Sequence, residues 1–329
     1  MEYTSLGKTG LKVSRLCLGT MSFGTRATKE EAFKIMDRAL ELGINFFDTA
    51  NVYGKGKDTE CGLTESIIGE WFAQGGNRRE KVVLSTKVHN EMFDEKYSVN
   101  DEAGLSAYKI YNQLNDSLKR LQTDHIDLYL MHHIDRNVSW EELYGAFENV
   151  IQQGKVYYVG SCNFGGRHLG YAKAKAEQRN FLGLVCEQHK YNLLCRLPEL
   201  EVIPVIKEMG MGMMVWSPLE GGLLAENILH PTLNVGKRAE KSKNLTIHQK
   251  EQLQKYADLC SELGESESNI ALAWLLHNPA VTCPIIGPRT VEQLENAVHA
   301  LDIELSEETL RRLDEIFPGY QEAPEEYSW

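Results

Sequence analysis

Eight times along this chain of 329 residues, a short apolar run rich in β-branched side chains gives way to a longer stretch with apolar residues three and four apart. Strands covered on both faces read as apolar runs, and helices packed on one face read with a 3.6-residue period. Their alternation spells strand–helix units. The runs are SRLCLGT, INFFDTA, KVVLSTKV, HIDLYLMH, KVYYVGSC, LGLVCEQHK, GMMVWS and AVTCPIIG. The first helical stretch is TKEEAFKIMDRALELG, with Thr28 as N-cap, Glu31 completing a capping box and Gly43 as the stop. ECGLTESIIGEWFAQ, LSAYKIYNQLNDSLKRLQ, SWEELYGAFENVIQQG, GRHLGYAKAKAEQRN and LPELEVIPVIKEMG follow the next five strands. Residues 247–277 and RTVEQLENAVHAL follow the last two. Eight units predict an α/β fold, a closed (β/α)8 or TIM barrel. An open doubly wound sheet would carry a glycine fingerprint after its first strand, and the chain has neither G-x-G-x-x-G nor a P-loop. MEYTSLGKTGLKVS precedes the first barrel strand and reads as a β-hairpin turning near Gly7 to Gly10, placed to plug one end. SEETLRRLDEIF reads as a last helix, followed by a tail whose aromatics are expected to fold over the surface. No linker rich in proline, glycine or serine interrupts residues 1–329, so one domain is expected.

Composition narrows the partners. Lys and Arg number 35 against 47 Asp and Glu, a net charge of −12, which argues against a nucleic-acid partner. No apolar run approaches the roughly 20 residues that span a bilayer, and the start has no signal-peptide core, so no membrane association is expected. The seven cysteines are odd in number and never spaced C-x-x-C, which disfavours a disulfide framework or a zinc site. Reduced thiols in a cytoplasmic protein are the simpler expectation. The irregular segment from Glu220 to Asn244 is long enough to suggest a lid. It carries Lys237, Arg238, Lys241 and Lys243, a solvated basic patch or a partner for phosphates.

In such a barrel, chemistry sits where strands end. The second strand ends at Asp48, with Tyr53 in its loop; the third ends at Lys87; the fourth ends at His132 and His133. Residues two apart share a face, so Val83, Ser85 and Lys87 point together, as do Leu128, Leu130 and His132. A phenol with an ordinary pKa of about 10 is made more acidic by a neighbouring ammonium. A buried ammonium needs a carboxylate, and a histidine can hold a substrate oxygen. That set suits protonation of a carbonyl oxygen while a hydride reaches its carbon, and the hydride must come from a cofactor. Each residue also has a plainer reading. Asp48 suits a cap, Tyr53 packing, Lys87 a solvated strand end, and the histidines an ordinary loop or metal ligation with Asp135. Adjacent strand residues face opposite ways, which disfavours shared ligation by His132 and His133.

Here the chain resembles the aldo-keto reductase superfamily, over nearly its whole length. The matching pieces are LGTMSFG, GINFFDTANVYG, LSTKV, IDLYLMHHID, GKVYYVGSCNF, EQHKYNLL, WSPLEGGLL and IIGPRTVEQLE. The resemblance implies a catalytic tetrad of Asp48, Tyr53, Lys87 and His132, and NADPH lying across the barrel mouth without a Rossmann fold. It places Asn163 and Gln188 on the nicotinamide carboxamide, Trp216 on the ring, and Gly19, Thr20 and Met21 beneath it. Ser217, Leu219, Gly221 and Leu223 would line the pyrophosphate, and Gly287, Arg289, Gln293 and Asn296 the adenosine end. Arg289 would meet the 2′-phosphate, since a guanidinium matches phosphate geometry. Two departures stand out: Cys162 occupies a place where many members have serine, and Asn296 and Ala297 replace an acidic residue and an asparagine. Cys162 itself is expected to be a buried small hydrophobe. The implied activity is NADPH-dependent reduction of an aldehyde or ketone, a small-molecule substrate walled by Met21, Phe23, Val52, His89, Phe93, His133 and the tail residues Tyr327 and Trp329. Homo-oligomerisation is left open. A second expectation from the same resemblance is a catalytically slow, cofactor-sensing partner protein similar to the beta subunits of voltage-gated potassium channels. The lack of an arm before the hairpin is taken to favour the enzyme.

Overall fold

The computed structural model describes residues 1–56, 59–92, 98–225 and 244–328. An antiparallel hairpin, β1 (Tyr3–Ser5) and β2 (Lys12–Ser14), opens the chain. Eight parallel strands follow: β3 (Cys17–Gly19), β4 (Phe46–Asp48), β5 (Val83–Val88), β6 (Ile126–Met131), β7 (Val156–Cys162), β8 (Leu184–Lys190), β9 (Gly212–Trp216) and β10 (Cys283–Ile286). They close as a barrel in the order β10-β3-β4-β5-β6-β7-β8-β9. The helices around it are α1 (Lys29–Glu41), α2 (Leu63–Phe72), α3 (Ala107–Leu121), α4 (Trp140–Gln152), α5 (Gly166–Gln178), α6 (Val202–Met209), α7 (Ile247–Leu263), α8 (Glu267–His277) and α9 (Val291–His299). α10 (Glu307–Ile316) and a last turn, α11 (Glu325–Ser328), complete the chain. Among the described residues no helix is long and apolar enough to cross a membrane.

Two apolar layers hold this together. The inner one fills the barrel with Cys17, Phe46, Leu128, Leu130, Cys186, Met214 and Cys283; the outer one lies between strands and helices. The hairpin does act as a plug, because Leu6 and Val13 are buried in the inner layer. Its turn lies so close to β9 that a Cβ on Gly7, at φ 57°, would stand 2.6 Å from the Gly212 nitrogen. Only glycine permits that approach. All seven cysteines are free thiols.

Local detail refines the sequence pattern in two places. Thr28 caps α1 by accepting from the Glu31 N–H, but the Glu31 carboxylate turns to Lys34, so the capping box is half formed. The helical stretch over residues 247–277 is two helices, because Gly264 adopts φ 69° and ends α7. Of the expected lid, residues 220–225 and Asn244 are described, with a 3₁₀ turn at Glu220–Gly222; Lys237, Arg238, Lys241 and Lys243 lie outside the described residues. The tail folds back through its backbone, the Ala323 N–H donating to the Leu200 carbonyl and the Tyr320 N–H to Glu199, but its described tyrosines stay exposed rather than covering the surface.

One buried polar network fixes the wall that carries the β4–α2 loop. Glu65, in the first turn of α2, accepts from Thr86 Oγ1 at 2.6 Å and from Arg120 Nε at 2.8 Å. A Cβ on Gly69 would stand 2.1 Å from the Arg120 carbonyl, so α2 and α3 meet backbone to backbone. The Tyr53 carbonyl in turn accepts from the N–H of Gly62, which locks the loop onto the start of α2.

Candidate active site

Strand register brings the first three groups together. Asp48 pairs with Ser85 between β4 and β5, and Lys87, two residues on, shares the inward face. Lys87 is 0% exposed and Asp48 2%, so the ammonium and carboxylate meet away from water. Lys87 Nζ donates to Asp48 Oδ2 at 2.7 Å, to the Thr49 carbonyl at 2.9 Å and to the Tyr53 hydroxyl at 3.3 Å. The other carboxylate oxygen, Asp48 Oδ1, accepts from Ser85 Oγ at 2.6 Å and Gln188 Nε2 at 2.9 Å. A buried charge pair persists only when its remaining lone pairs and protons are satisfied, as they are here. Burial pulls the Lys87 pKa down, but Asp48 and then Tyr53 outweigh it and hold the group above its ordinary value, so it is a cation.

Tyr53 corrects an expectation. The Lys87 ammonium does act to make the phenol more acidic, yet burial, with Asp48 adding to it, dominates and leaves the Tyr53 pKa raised. The Asp48 carboxylate that anchors the cation also cancels much of its field. The hydroxyl is therefore firmly protonated in this state.

His132 lies just past β6, and its N–H donates to the Val88 carbonyl, continuing the ladder. Its ring meets Tyr53 edge-on, with centroids 5.9 Å apart. Burial, then Lys87, His133 and His89, push its pKa down to about 2, so it is a neutral imidazole. His133 does not point the opposite way. Beyond the strand the alternation lapses, and the two rings stack at 5.0 Å with an interplanar angle of 4°. His89 lies edge-on to His133 at 5.3 Å. Asp135 is taken up by backbone, accepting from the N–H groups of Leu105 and Asn137. Among the described residues no three His, Cys, Asp or Glu side chains form a metal-binding group.

The far wall is built on Asn163, held at φ 62°. Its Oδ1 accepts from Trp216 Nε1 at 3.0 Å, and its Nδ2 donates to the His132 carbonyl at 3.3 Å. Cys162 beside it is buried, which raises its thiol pKa, and its sulfur accepts from Asn163 at 3.1 Å. Glu187, fully buried on β8, clamps this turn from behind by accepting from Ser161 Oγ at 2.5 Å and the Phe164 N–H at 2.8 Å. After β9 the backbone bends through left-handed residues at Ser217, Glu220, Gly221 and Gly222. Lys190 grips Glu220 at 2.7 Å, and Asn192 grips the Ser217 carbonyl and Glu220, both at 2.9 Å, so the arch through Leu219 to Leu223 is preformed.

Other expected residues divide. Thr20 is buried and donates to the Asp48 carbonyl, while Met21 is 53% exposed. Gly19 packs against β10, where a Cβ would stand 2.6 Å from Ile285. Gly287 is open, with nothing within 4 Å of an added Cβ. Arg289 is exposed and has no ion-pair partner among the described residues. Gln293 caps the start of α9 by accepting from the Arg289 N–H, and Asn296 is engaged with Ser268 and Asn269. Phe23, expected as a substrate wall, is instead 0% exposed within the outer apolar layer. The tail docks beside Glu199 and Leu200, with Tyr327 75% exposed. Phe93 and Trp329 lie outside the described residues. Ser85, Asn90 and Glu187 were not anticipated as parts of the site. Ser85 was legible from its two-residue spacing to Lys87; Asn90 and Glu187 carry no pattern.

The donor set fits a nicotinamide dinucleotide. An exposed guanidinium with no ion-pair partner among the described residues lies after β10, an indole ends β9 and a clasped arch with left-handed backbone follows it, on the same barrel as a neutral imidazole and a protonated phenol.

Comparison with known proteins places the whole chain among oxidoreductases. The profile of the aldo/keto reductase family matches residues 15–317. A Bacillus subtilis protein named uncharacterized oxidoreductase YrpG is 58% identical over 330 residues, covering 100% of both chains. A putative aryl-alcohol dehydrogenase of Schizosaccharomyces pombe is 31% identical, over 96% of this chain and 95% of its own. A probable voltage-gated potassium channel subunit beta of Arabidopsis thaliana is also 31% identical, over 99% of this chain and 100% of its own.

Proposed function

This chain belongs to the aldo/keto reductase family of oxidoreductases, and from that premise we propose that it reduces an aldehyde or ketone with NADPH, with Tyr53 as general acid. The observation that carries this is the convergence of Tyr53, Lys87 and Asp48 through hydrogen bonds of 3.3 and 2.7 Å beside a neutral His132.

When bound, the dinucleotide supplies the hydride. The chain's own residues then handle the oxygen. His132 donates a hydrogen bond that orients the carbonyl, and the Tyr53 hydroxyl gives its proton to that oxygen as negative charge develops on it. Lys87, 3.3 Å from the hydroxyl, stabilises the phenolate left behind, and solvent water reprotonates it. The transfer is downhill despite the raised Tyr53 pKa, because an alkoxide is a far stronger base than the phenolate. Asp48, with Ser85 and Gln188, keeps Lys87 in place. Asn163 and Trp216 form the wall for the nicotinamide, with Gln188 near them; the arch from Ser217 to Leu223 takes the pyrophosphate; Gly19, Thr20 and Met21 line the other side. Gly287 and Arg289 meet the adenosine end, and the preference for NADPH is assigned to Arg289. Gln293 and Asn296 support that loop through the cap and the Ser268–Asn269 contacts. His89 and His133 border the substrate mouth.

The test is loss of NADPH absorbance against a panel of aromatic, aliphatic and dicarbonyl substrates. Tyr53→Phe is expected to bind NADPH as before and to lose at least about a hundredfold in kcat. Unchanged turnover in this variant removes Tyr53 from the chemistry. Similarity to a channel beta subunit supports a second reading, a slow cofactor-sensing partner protein, and an active panel excludes it as the main role.

A further inference from the structure

Asn90 follows β5 by two residues and stands between two histidines. Its Nδ2 lies 3.3 Å from His132 Nδ1, and its Oδ1 lies 3.2 Å from His89 Nδ1. An amide nitrogen of this kind only donates and an amide oxygen only accepts. The contact therefore makes His132 Nδ1 the acceptor, and a neutral imidazole that accepts at Nδ1 carries its proton on Nε2. The partner contact makes His89 Nδ1 a donor. Nε2 of His132 has no hydrogen-bond partner among the described residues, which leaves that N–H available at the mouth.

From this juxtaposition we infer that Asn90 is a positioning residue that sets the tautomer of His132, holding it as the Nε2–H donor, while its amide oxygen engages His89. The inference rests on the carbonyl-reductase reading for its functional consequence. A carbonyl oxygen needs a donor, and the opposite tautomer would present a lone pair to it. A half-turn of the Asn90 amide would reverse both histidine tautomers. The two contacts therefore reverse together, and the ring-nitrogen signals of both histidines report which way the amide faces.

The experiment uses the full chain with histidine ring nitrogens labelled by ¹⁵N, and His132→Gln to assign the signals. In the native protein His132 should show a protonated Nε2 and a bare Nδ1. Asn90→Asp puts an acceptor against Nδ1, so the proton should move there. kcat/KM at pH 8 should then fall about a hundredfold, the scale of losing one aimed donor, while NADPH affinity stays constant. The loss should shrink as pH is lowered, because an imidazolium donates from both nitrogens. Asn90→Ala, which removes the bias without reversing it, should fall by no more than about tenfold. A native His132 protonated on Nδ1, or an Asn90→Asp variant with unmoved tautomer and unmoved pH profile, overturns the inference. If Asn90→Asp fails to fold, the Asn90→Ala spectrum decides: a mixture of His132 tautomers supports the inference, and an Nε2–H as dominant as in the native protein overturns it. If no carbonyl is reduced by the native chain, the reductase reading fails, and the tautomer spectra still support or overturn the role of Asn90.

Discussion

Asp48→Asn isolates the interaction on which the site depends. The change keeps size and leaves an oxygen to accept from Ser85 and Gln188, but it replaces the anion 2.7 Å from the Lys87 ammonium with a group whose N–H₂ faces it. Breaking a buried pair by removing one partner costs about 3–5 kcal/mol. For a chain of 329 residues, with an unfolding entropy of about 2.1 cal/mol/K per residue, a loss of about 4 kcal/mol lowers Tm by about 6 °C. The pH dependence gives the sharper signature. In the native protein the Lys87 pKa is raised, so its stabilising contribution is complete below about pH 10.5 and is lost only as pH climbs through the folded value. In Asp48→Asn burial acts with far less opposition and the folded pKa falls below the unfolded one. Stability of the variant should then rise with pH from the lowered pKa up to about pH 10.5, by about 1.4 kcal/mol for each unit of the shift. Urea unfolding of both proteins from pH 7 to pH 10 reads this out. A deficit that is large at pH 7 and narrows toward pH 10 is expected. A deficit below about 1 kcal/mol, or one that stays constant with pH, refutes the claim that Asp48 neutralises a buried Lys87 cation.

Arg289→Ala should weaken NADPH binding about tenfold or more, the value of a charge-assisted hydrogen bond, and leave NADH unchanged, as measured by binding titration of each; equal weakening makes the arginine structural. Gly7→Ala should destabilise by about 2–4 kcal/mol, since the added Cβ meets backbone at 2.6 Å in a left-handed conformation. Gly10→Ala, with nothing within 4 Å of its Cβ, should leave thermal unfolding nearly unmoved and serves as its matched control.

The pattern of apolar runs and 3.6-residue periods was enough to specify eight parallel strands, their helices and the plugging hairpin, because each depends on which face of a segment is buried. Asp48, Tyr53, Lys87 and His132 were legible for a related reason: a barrel places strand ends on one rim, so residues separated by 39 and 45 positions become neighbours once the units are counted. The plainer readings of those residues could not be set aside from residue type alone, and the family motif supplied what spacing could not.

Tertiary structure decided the rest, and the physical reason is that charge and hydrogen bonding depend on distance and burial rather than on order along the chain. The sign of the Tyr53 shift follows from how far Asp48 offsets Lys87 in a dry site. The stacking of His132 on His133 follows from where β6 happens to end. Phe23 became core, and Asn90 and Glu187 became parts of the site, because of what packs against them. The sequence by itself determined which groups could reach the barrel mouth; only the folded chain decided which proton each of them holds.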